Sequence, residues 1–420
     1  MDGRADRKLR QRRIPAGLTR SAHSASDVLR LAPGPVRVNG RVVSVEGTSA
    51  HVCDAFGLLR VSGSRSFALQ PGELVVLSGH WTGKCVTRAR IESRFAAPVP
   101  RGDGDIARFV FNGVGSALRA RSRALEVIRK YFATRDFIEV ETPLLVHAPG
   151  VDRNVEALAA GSAFLITSPE LSLKRLLVGG VPRLYQLGRV FRGDESGALH
   201  EPEFTLLEWY RAFADYESII ADTEQLVERV ARALSRRSSL TAPDGRAIDV
   251  RRPFDRLRVE DAFREYAGVS DVTTLAKRDE DRYFELLVDK VEPALAARKR
   301  AVFLCDYPIS QAALARPCPG DPRFAERFEL YVGGVELSNG YGELTDPDEQ
   351  RRRFLLEEKR RRAMGRRVYP IDQTFLAALE AGMPPSSGNA LGVDRLIALS
   401  LGRTSIAEVV AFPWRGQLPG

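Results

Sequence analysis

The stretch "FRGDESGALHEPEFTLLEWY", Phe191 to Tyr210, most constrains what this chain can fold into. It sets Phe191, Phe204, Leu206, Leu207, Trp209 and Tyr210 among Arg192, Asp194, Glu195, His200, Glu201, Glu203 and Glu208. A surface loop has no need of that much apolar area. A fully buried strand does not tolerate that many charges, because a buried charge is costly unless it is paired or bound. The segment must bury one set of residues and show the other to something polar. Two further segments pose the same problem. "ERFELYVGGVELSNGYGEL" alternates like two strands joined at a Gly-Gly turn, with Glu329, Glu336, Asn339 and Glu343 at inward positions. "GNALGVDRLIALSLG" turns from a glycine-bearing strand into a helix and carries Arg395. Internal salt bridges or solvated faces are the plain alternatives. Three such segments in one chain favour a ligand site.

The remaining sequence divides by pattern. A length of 420 residues suggests two or three domains at roughly 150 residues each. Residues 1–35 begin with six basic residues in the first thirteen and read as a basic flexible tail. Residues 36–95 hold short Val-rich runs separated by Gly, Ser, Asn and Pro, the pattern of a small OB-like β-barrel. Residues 96–108 read as a linker, and 109–420 mix helices with strands in an α+β pattern. Helices are expected over 116–134, 216–237 and 347–364. "FIEVETPLLV" reads as a strand closed by Pro143.

Composition narrows the class. No apolar run approaches the roughly 18 residues of a membrane span, so no membrane role is expected. Cys53, Cys85, Cys305 and Cys318 lie far apart, which argues against a disulfide framework or a zinc knuckle. A cytoplasmic setting follows as the expectation. The net charge of +9 favours anionic partners without choosing among them.

The three segments resemble the signature motifs of the class II aminoacyl-tRNA synthetases. "FIEVETP" is similar to motif 1, "GRVFRGDE" with "HEPEFTLLEWY" to motif 2, and "GNALGVDRLIAL" to motif 3. The lysyl branch is the nearest in pattern, with "SPELSLKRLLVGG" and "GGVELSNGYGELTD" between the motifs. The resemblance covers about residues 115–415. It implies an antiparallel sheet flanked by helices as the catalytic domain, and a homodimer formed through motif 1. It also implies ATP as a substrate, with Mg2+ bridging its phosphates.

The residue types suit that chemistry. Amino-acid activation joins a carboxylate to the α-phosphate of ATP and expels pyrophosphate. The nucleophile is already ionised, so the work is positioning and charge stabilisation. By the resemblance, Arg192 forks onto the α-phosphate and the attacking carboxylate, and Arg395 holds the γ-phosphate. Phe204 stacks on adenine, while Asp194 and His200 orient adenine and phosphate. Glu329 and Glu336 would ligate Mg2+. One departure stands out: Gly193-Asp194 follows the arginine where the family usually has Asn-Glu.

The resemblance also assigns an amino-acid pocket to Ser168, Glu170, Glu208, Tyr210, Asn339, Tyr341, Glu343 and Ala390. Its carboxylates favour a dibasic amino acid, lysine or β-lysine. Ser168 and Ala390 stand where lysyl-tRNA synthetases usually have Ala and Gly. That matches the paralogues that activate (R)-β-lysine and join it to a lysine of elongation factor P. Charging of tRNA-Lys is the alternative, and the N-terminal β domain points toward it. A catalytically inactive regulatory module is a second alternative, opposed by Arg192, Glu336, Arg395 and the pocket carboxylates.

Overall fold

Five N-terminal strands pair in a closed ring: β1 (Gly34–Glu46), β2 (Ser49–Cys53), β3 (Leu58–Gly63), β4 (Leu74–Trp81) and β5 (Val86–Phe95). The computed structural model describes residues 21–64, 67–100, 102, 104–150, 154–195 and 197–414. The ring closes because β1 is long enough to serve two partners. Its first half pairs with β4 and its second half with β2. Gly40 sits where the two halves meet. A Cβ there would lie 2.5 Å from Val52 Cγ1 and 2.7 Å from the Cys53 carbonyl oxygen. Alternate residues Val38, Val42, Val52, Leu59, Val61, Leu77 and Val86 fill the interior.

The expected tail is too long. A helix, α1 (Ala25–Val28), is capped by Ser24 and buries Ala25 and Val28 completely in the ring's core. His23 and Ser24 pair with Val38 and Asn39. Four residues are too few to show helical periodicity in a sequence. Residues 1–20, with the basic cluster, lie outside the described residues. Trp81 is a core residue, and its indole N–H donates to the Leu31 carbonyl at 3.1 Å.

The chain divides into two units, Met1–Ser116 and Ala117–Gly420. The second is built on eight strands: β6 (Ile138–Glu139), β7 (Arg183–Phe191), β8 (Glu203–Ala212), β9 (Asp255–Arg258), β10 (Val302–Pro308), β11 (Phe324–Val332), β12 (Val335–Gly342) and β13 (Ser386–Gly392). Their order is β9-β10-β11-β12-β13-β8-β7-β6. The six inner strands are antiparallel, and each outermost strand pairs parallel with its neighbour. "FIEVETPLLV" contributes only Ile138–Glu139 to this sheet. Leu145–Val146 joins a separate small sheet beyond Pro143, whose missing N–H cannot serve a ladder.

Helices α2 (Val114–Ala133), α3 (Glu170–Val178), α4 (Tyr216–Ser235), α5 (Pro347–Ala363) and α6 (Val393–Ser400) surround the sheet. α2, α4 and α5 begin and end within two residues of the expected spans. One sheet face is dry. Leu207, Trp209, Phe328, Leu330, Leu337 and Leu391 pack there against Ile128 and Phe132 of α2, Leu226 and Val230 of α4, and Leu396 and Ile397 of α6. Each such side chain contributes about 1.5–3 kcal/mol by leaving water. Because strand residues alternate, the same six strands offer a second, polar face. Among the described residues no helix is long and apolar enough to cross a membrane.

Candidate active site

The polar face is organised by register. Gln186 of β7, Glu208 of β8, Ala390 of β13, Asn339 of β12 and Glu329 of β11 lie directly opposite one another in one row across the sheet. Two residues along runs a second row: Tyr210, Gly388, Tyr341 and Arg327. The period of two puts both rows on one face, opposite Leu207 and Trp209. A cavity of about 330 Å³ opens over these rows.

Thirteen of the expected site residues line that single cavity: Ser168, Glu170, Arg192, His200, Phe204, Glu208, Tyr210, Glu329, Glu336, Asn339, Tyr341, Ala390 and Arg395. Asp194 does not. It is exposed, with φ +60° in the left-handed region that Asp tolerates better than most residues. Gly193 N–H is tied to the Glu156 carbonyl at 2.7 Å, and the chain turns there. Glu195, one residue on, lines the cavity and stands 3.6 Å from Arg192. The carboxylate at this end of the site is therefore Glu195 by position.

Glu343 also lies outside the lining. It is fully buried behind the pocket, its Oε2 2.6 Å from Lys174 Nζ. The same ammonium donates to Glu170 Oε1 at 2.6 Å. Burial opposes the charge on Lys174, but Glu170 and Glu343 outweigh it and hold the ammonium above its ordinary range. At this end of the site three carboxylates, Glu170, Glu208 and the buried Glu343, thus gather around one internal ammonium, Lys174.

Glu208 is the carboxylate left without a cation. Tyr210 donates to its Oε1 at 2.6 Å and Ser168 to its Oε2 at 2.8 Å. Burial and the neighbouring Glu170 nonetheless push it up to about 8. Ser168 Oγ also accepts the Glu170 backbone N–H at 3.0 Å, which ties the Glu208 carboxylate to the first turn of α3. A buried carboxylate in this state calls for a positively charged ligand. Gly388 makes the room beside it. A Cβ there would lie 2.3 Å from two Tyr210 ring carbons. Gly388→Ala should therefore displace Tyr210 and raise the amino-acid KM by about tenfold or more, with a smaller change in the ATP KM. Steady-state exchange kinetics with each substrate varied separately measures the split.

The other end of the cavity is cationic. Arg192 Cζ is 5.2 Å from the Phe204 ring centroid. Arg395 donates to the carbonyls of Leu199 (3.1 Å) and Glu336 (2.8 Å), and its remaining nitrogen is 2.6 Å from His200 Nε2. A guanidinium cannot accept, so His200 Nε2 carries the lone pair and its proton sits on Nδ1. Burial and Arg395 both lower the His200 pKa, consistent with a neutral ring.

Glu336 and Glu329 differ. Both Glu329 oxygens are occupied: Arg327 and Asn339 donate to Oε1, and Tyr307 and Tyr331 donate to Oε2. Glu336 lines the cavity, and burial followed by Glu329 pushes it up to about 7, against the pull of Arg395, Arg327 and Arg192. Among the described residues no group of three or more His, Cys, Asp or Glu side chains is placed to hold a metal. One or two carboxylates completed by phosphate oxygens are what Mg2+ commonly uses, and Glu336 fits that requirement better than Glu329.

Sequence reasoning missed the residues that join the motifs. Arg121 of α2 pairs with Asp394 of α6 and donates to Thr205 Oγ1 of β8 at 2.6 Å. Asp394 in turn accepts the Thr205 N–H at 2.8 Å. Three segments far apart in the chain are fastened at one buried point. Asp394, next to Arg395 in "LGVDRL", was the available signal. Lys174 had none, since a lysine in an amphipathic helix looks like a surface residue.

Comparison with known proteins bears on these residues as a set. Residues 105–416 match the family model described as tRNA synthetases class II (D, K and N). The chain is 40% identical over 311 residues to the elongation factor P–(R)-β-lysine ligase of Vibrio cholerae, covering 71% of this chain and 95% of that one. It is 41% identical over 311 residues to the protein of the same name from Proteus mirabilis, covering 70% and 94%. For the one from Edwardsiella ictaluri the figures are 42% over 310 residues, 70% and 94%. These relatives are matched along nearly their whole length, while about three tenths of this chain lies outside each match. With the three ordered motifs, the two-row site and this coverage together, the chain belongs to the class II tRNA synthetases of the D, K and N group.

Proposed function

We propose that the chain is a ligase that activates (R)-β-lysine with ATP and transfers the β-lysyl group to a lysine of elongation factor P. The carrying observation is the match to ligases of that name along 94–95% of their lengths. The site supports the same reading. Ser168 donates to Glu208, and Ala390 stands between Glu208 and Asn339, the two positions that separate this pocket from the lysyl-tRNA synthetase pattern.

In the proposed reaction the substrate carboxylate attacks the α-phosphorus of ATP. A new P–O bond forms and the bond to pyrophosphate breaks. Arg192 holds the α-phosphate and the carboxylate in one fork, where charge builds in the transition state. Phe204 offers its face to adenine, Glu195 its carboxylate at the same end, and Arg395 holds the γ-phosphate with His200 beside it. Mg2+ would sit against Glu336, with Glu329 held behind it, and would neutralise phosphate charge when bound. Glu208 and Glu170 receive the ammonium groups of the substrate. The acceptor amine then attacks the acyl carbonyl, AMP leaves, and the amine loses a proton to solvent.

The five-strand ring supports an OB-like barrel for the N-terminal domain, and the family supports a homodimer through motif 1 in the cytoplasm. The N-terminal ring also favours one rival, the charging of tRNA-Lys, because the ligases are matched along nearly their whole length and leave about three tenths of this chain unmatched. ATP–pyrophosphate exchange separates the two. Exchange with (R)-β-lysine should exceed exchange with L-lysine by at least tenfold in kcat/KM. The opposite order would return the chain to tRNA-Lys.

The pocket also sets a pH dependence. An ammonium ligand needs ionised Glu208, yet burial and Glu170 favour its neutral form below about pH 8. Binding then expels a proton, so affinity rises with pH. The KM for β-lysine should fall by up to about tenfold per pH unit between pH 6 and 8, then level. Ser168, Tyr210, Glu170 and Lys174 are the groups around Glu208 that set this midpoint. A KM flat across that range would contradict the assignment.

A further inference from the structure

Residues 347–367 carry nine arginines and lysines against four acidic residues, in a chain whose net charge is +9. Most of that segment is α5, and its inner face is fixed by packing. Phe354 is buried, and Arg353 Nη1 donates to the Ala312 and Ala315 carbonyls at 2.7 and 2.8 Å. The outer face is different. Leu355, Leu356 and Met364 are 53%, 38% and 54% exposed. Arg352, Lys359 and Arg362 are exposed with them. Positions 352, 355, 356, 359 and 362 follow helical spacing, so they form one stripe with an apolar centre and a basic border.

The inner face of α5 is tied to a segment at the cavity. Near its end, Arg361 is buried and donates to the Val155 carbonyl at 3.0 Å and to Glu156 at 2.7 Å. Val155 lines the cavity. The Glu156 carbonyl accepts Gly193 N–H, next to Arg192. The C-terminal end of α5 is thereby fixed to the segment that carries Val155, a residue of the cavity wall.

We infer that the outer stripe of α5 docks the acceptor protein, through an acidic surface that meets Arg352, Lys359 and Arg362 and an apolar patch that covers Leu355 and Leu356. This rests on the reading of the chain as a ligase that acylates a protein lysine. Charge complementarity names the partner's sign, and the apolar centre names its class. Protein interfaces bury apolar side chains within a polar rim. Single-stranded RNA is held by aromatic platforms, and this stripe has none.

Two double variants test it: Lys359→Glu with Arg362→Glu, and Leu355→Ser with Leu356→Ser. Both leave the cavity lining intact. β-Lysine-dependent pyrophosphate exchange should stay within twofold of the parent, which also shows that the variants fold. The KM for elongation factor P in the transfer assay should rise at least tenfold. Raising ionic strength should weaken transfer by the parent and have less effect on the charge-reversed variant. Transfer by both variants at the parental KM would overturn the docking surface alone. A loss of tRNA binding with transfer intact would assign the stripe to RNA and overturn it. A change in oligomeric mass would assign it to a second copy and overturn it. If the parent performs exchange but never modifies elongation factor P, the proposed function and this surface fall together.

Discussion

Replacing Arg192 with alanine should lower β-lysine-dependent ATP–pyrophosphate exchange by about 10²–10³-fold or more while leaving the thermal midpoint unchanged. The two halves of that expectation have separate grounds. Arg192 stands on the cavity wall beside the Phe204 ring, where the proposed reaction needs its fork. It contributes little to the fold, since its contacts are a 3.4 Å bond to the Thr167 carbonyl and a 3.6 Å approach to Glu195. Arg192→Lys should recover only part of the loss, because an ammonium keeps the charge but not the fork that spans two oxygens. Exchange rates with thermal melts of the same preparations check both halves. Exchange at the parental rate would remove Arg192 from the reaction.

Lys174→Met should be the most damaging change for the fold of the site. The ammonium lies between Glu170 and Glu343, and all three are wholly or largely buried. Removing it leaves two carboxylates facing each other without a cation, at a cost of about 3–5 kcal/mol. The pH dependence has a definite sign. Burial, joined by Glu170, already pushes Glu343 up to about 7 despite Lys174 beside it, and without Lys174 it moves higher. A carboxylate with a raised folded-state pKa is tolerated when neutral and destabilises when ionised. The deficit of the variant should therefore be largest above pH 7 and shrink toward pH 5, as urea unfolding at several pH values would show. Adding Glu343→Gln should restore part of the loss, a coupling that independent sites would not give.

The parts of the molecule that were legible in the sequence are those governed by periodicity. Alternation along Phe204 to Tyr210 puts Leu207 and Trp209 on the dry face and Glu208 and Tyr210 on the wet one. The same rule places Glu329, Asn339 and Tyr341 opposite them. The helices α2 and α4 are readable for the same reason at a period of 3.6. What escaped has other causes. The exchange of Asp194 for Glu195 depends on one left-handed residue in a turn, which no pattern encodes. The burial of Glu343 depends on Lys174, a contact made across 169 positions of chain by tertiary packing. The Arg121–Asp394 link spans 273 positions and is equally invisible locally. Residues 21–35 carry no local signal because α1 is one turn long and draws its stability from the ring it packs on.

The proposed ligase must make a β-lysyl adenylate in this site and deliver it to a protein lysine. Mass spectrometry of elongation factor P after incubation with the enzyme, ATP, Mg2+ and (R)-β-lysine tests it most directly. The expected result is a gain of one β-lysyl group on a single lysine, dependent on ATP and absent with Arg192→Ala. An unmodified factor, alongside efficient L-lysine charging of tRNA-Lys by the same preparation, would contradict it.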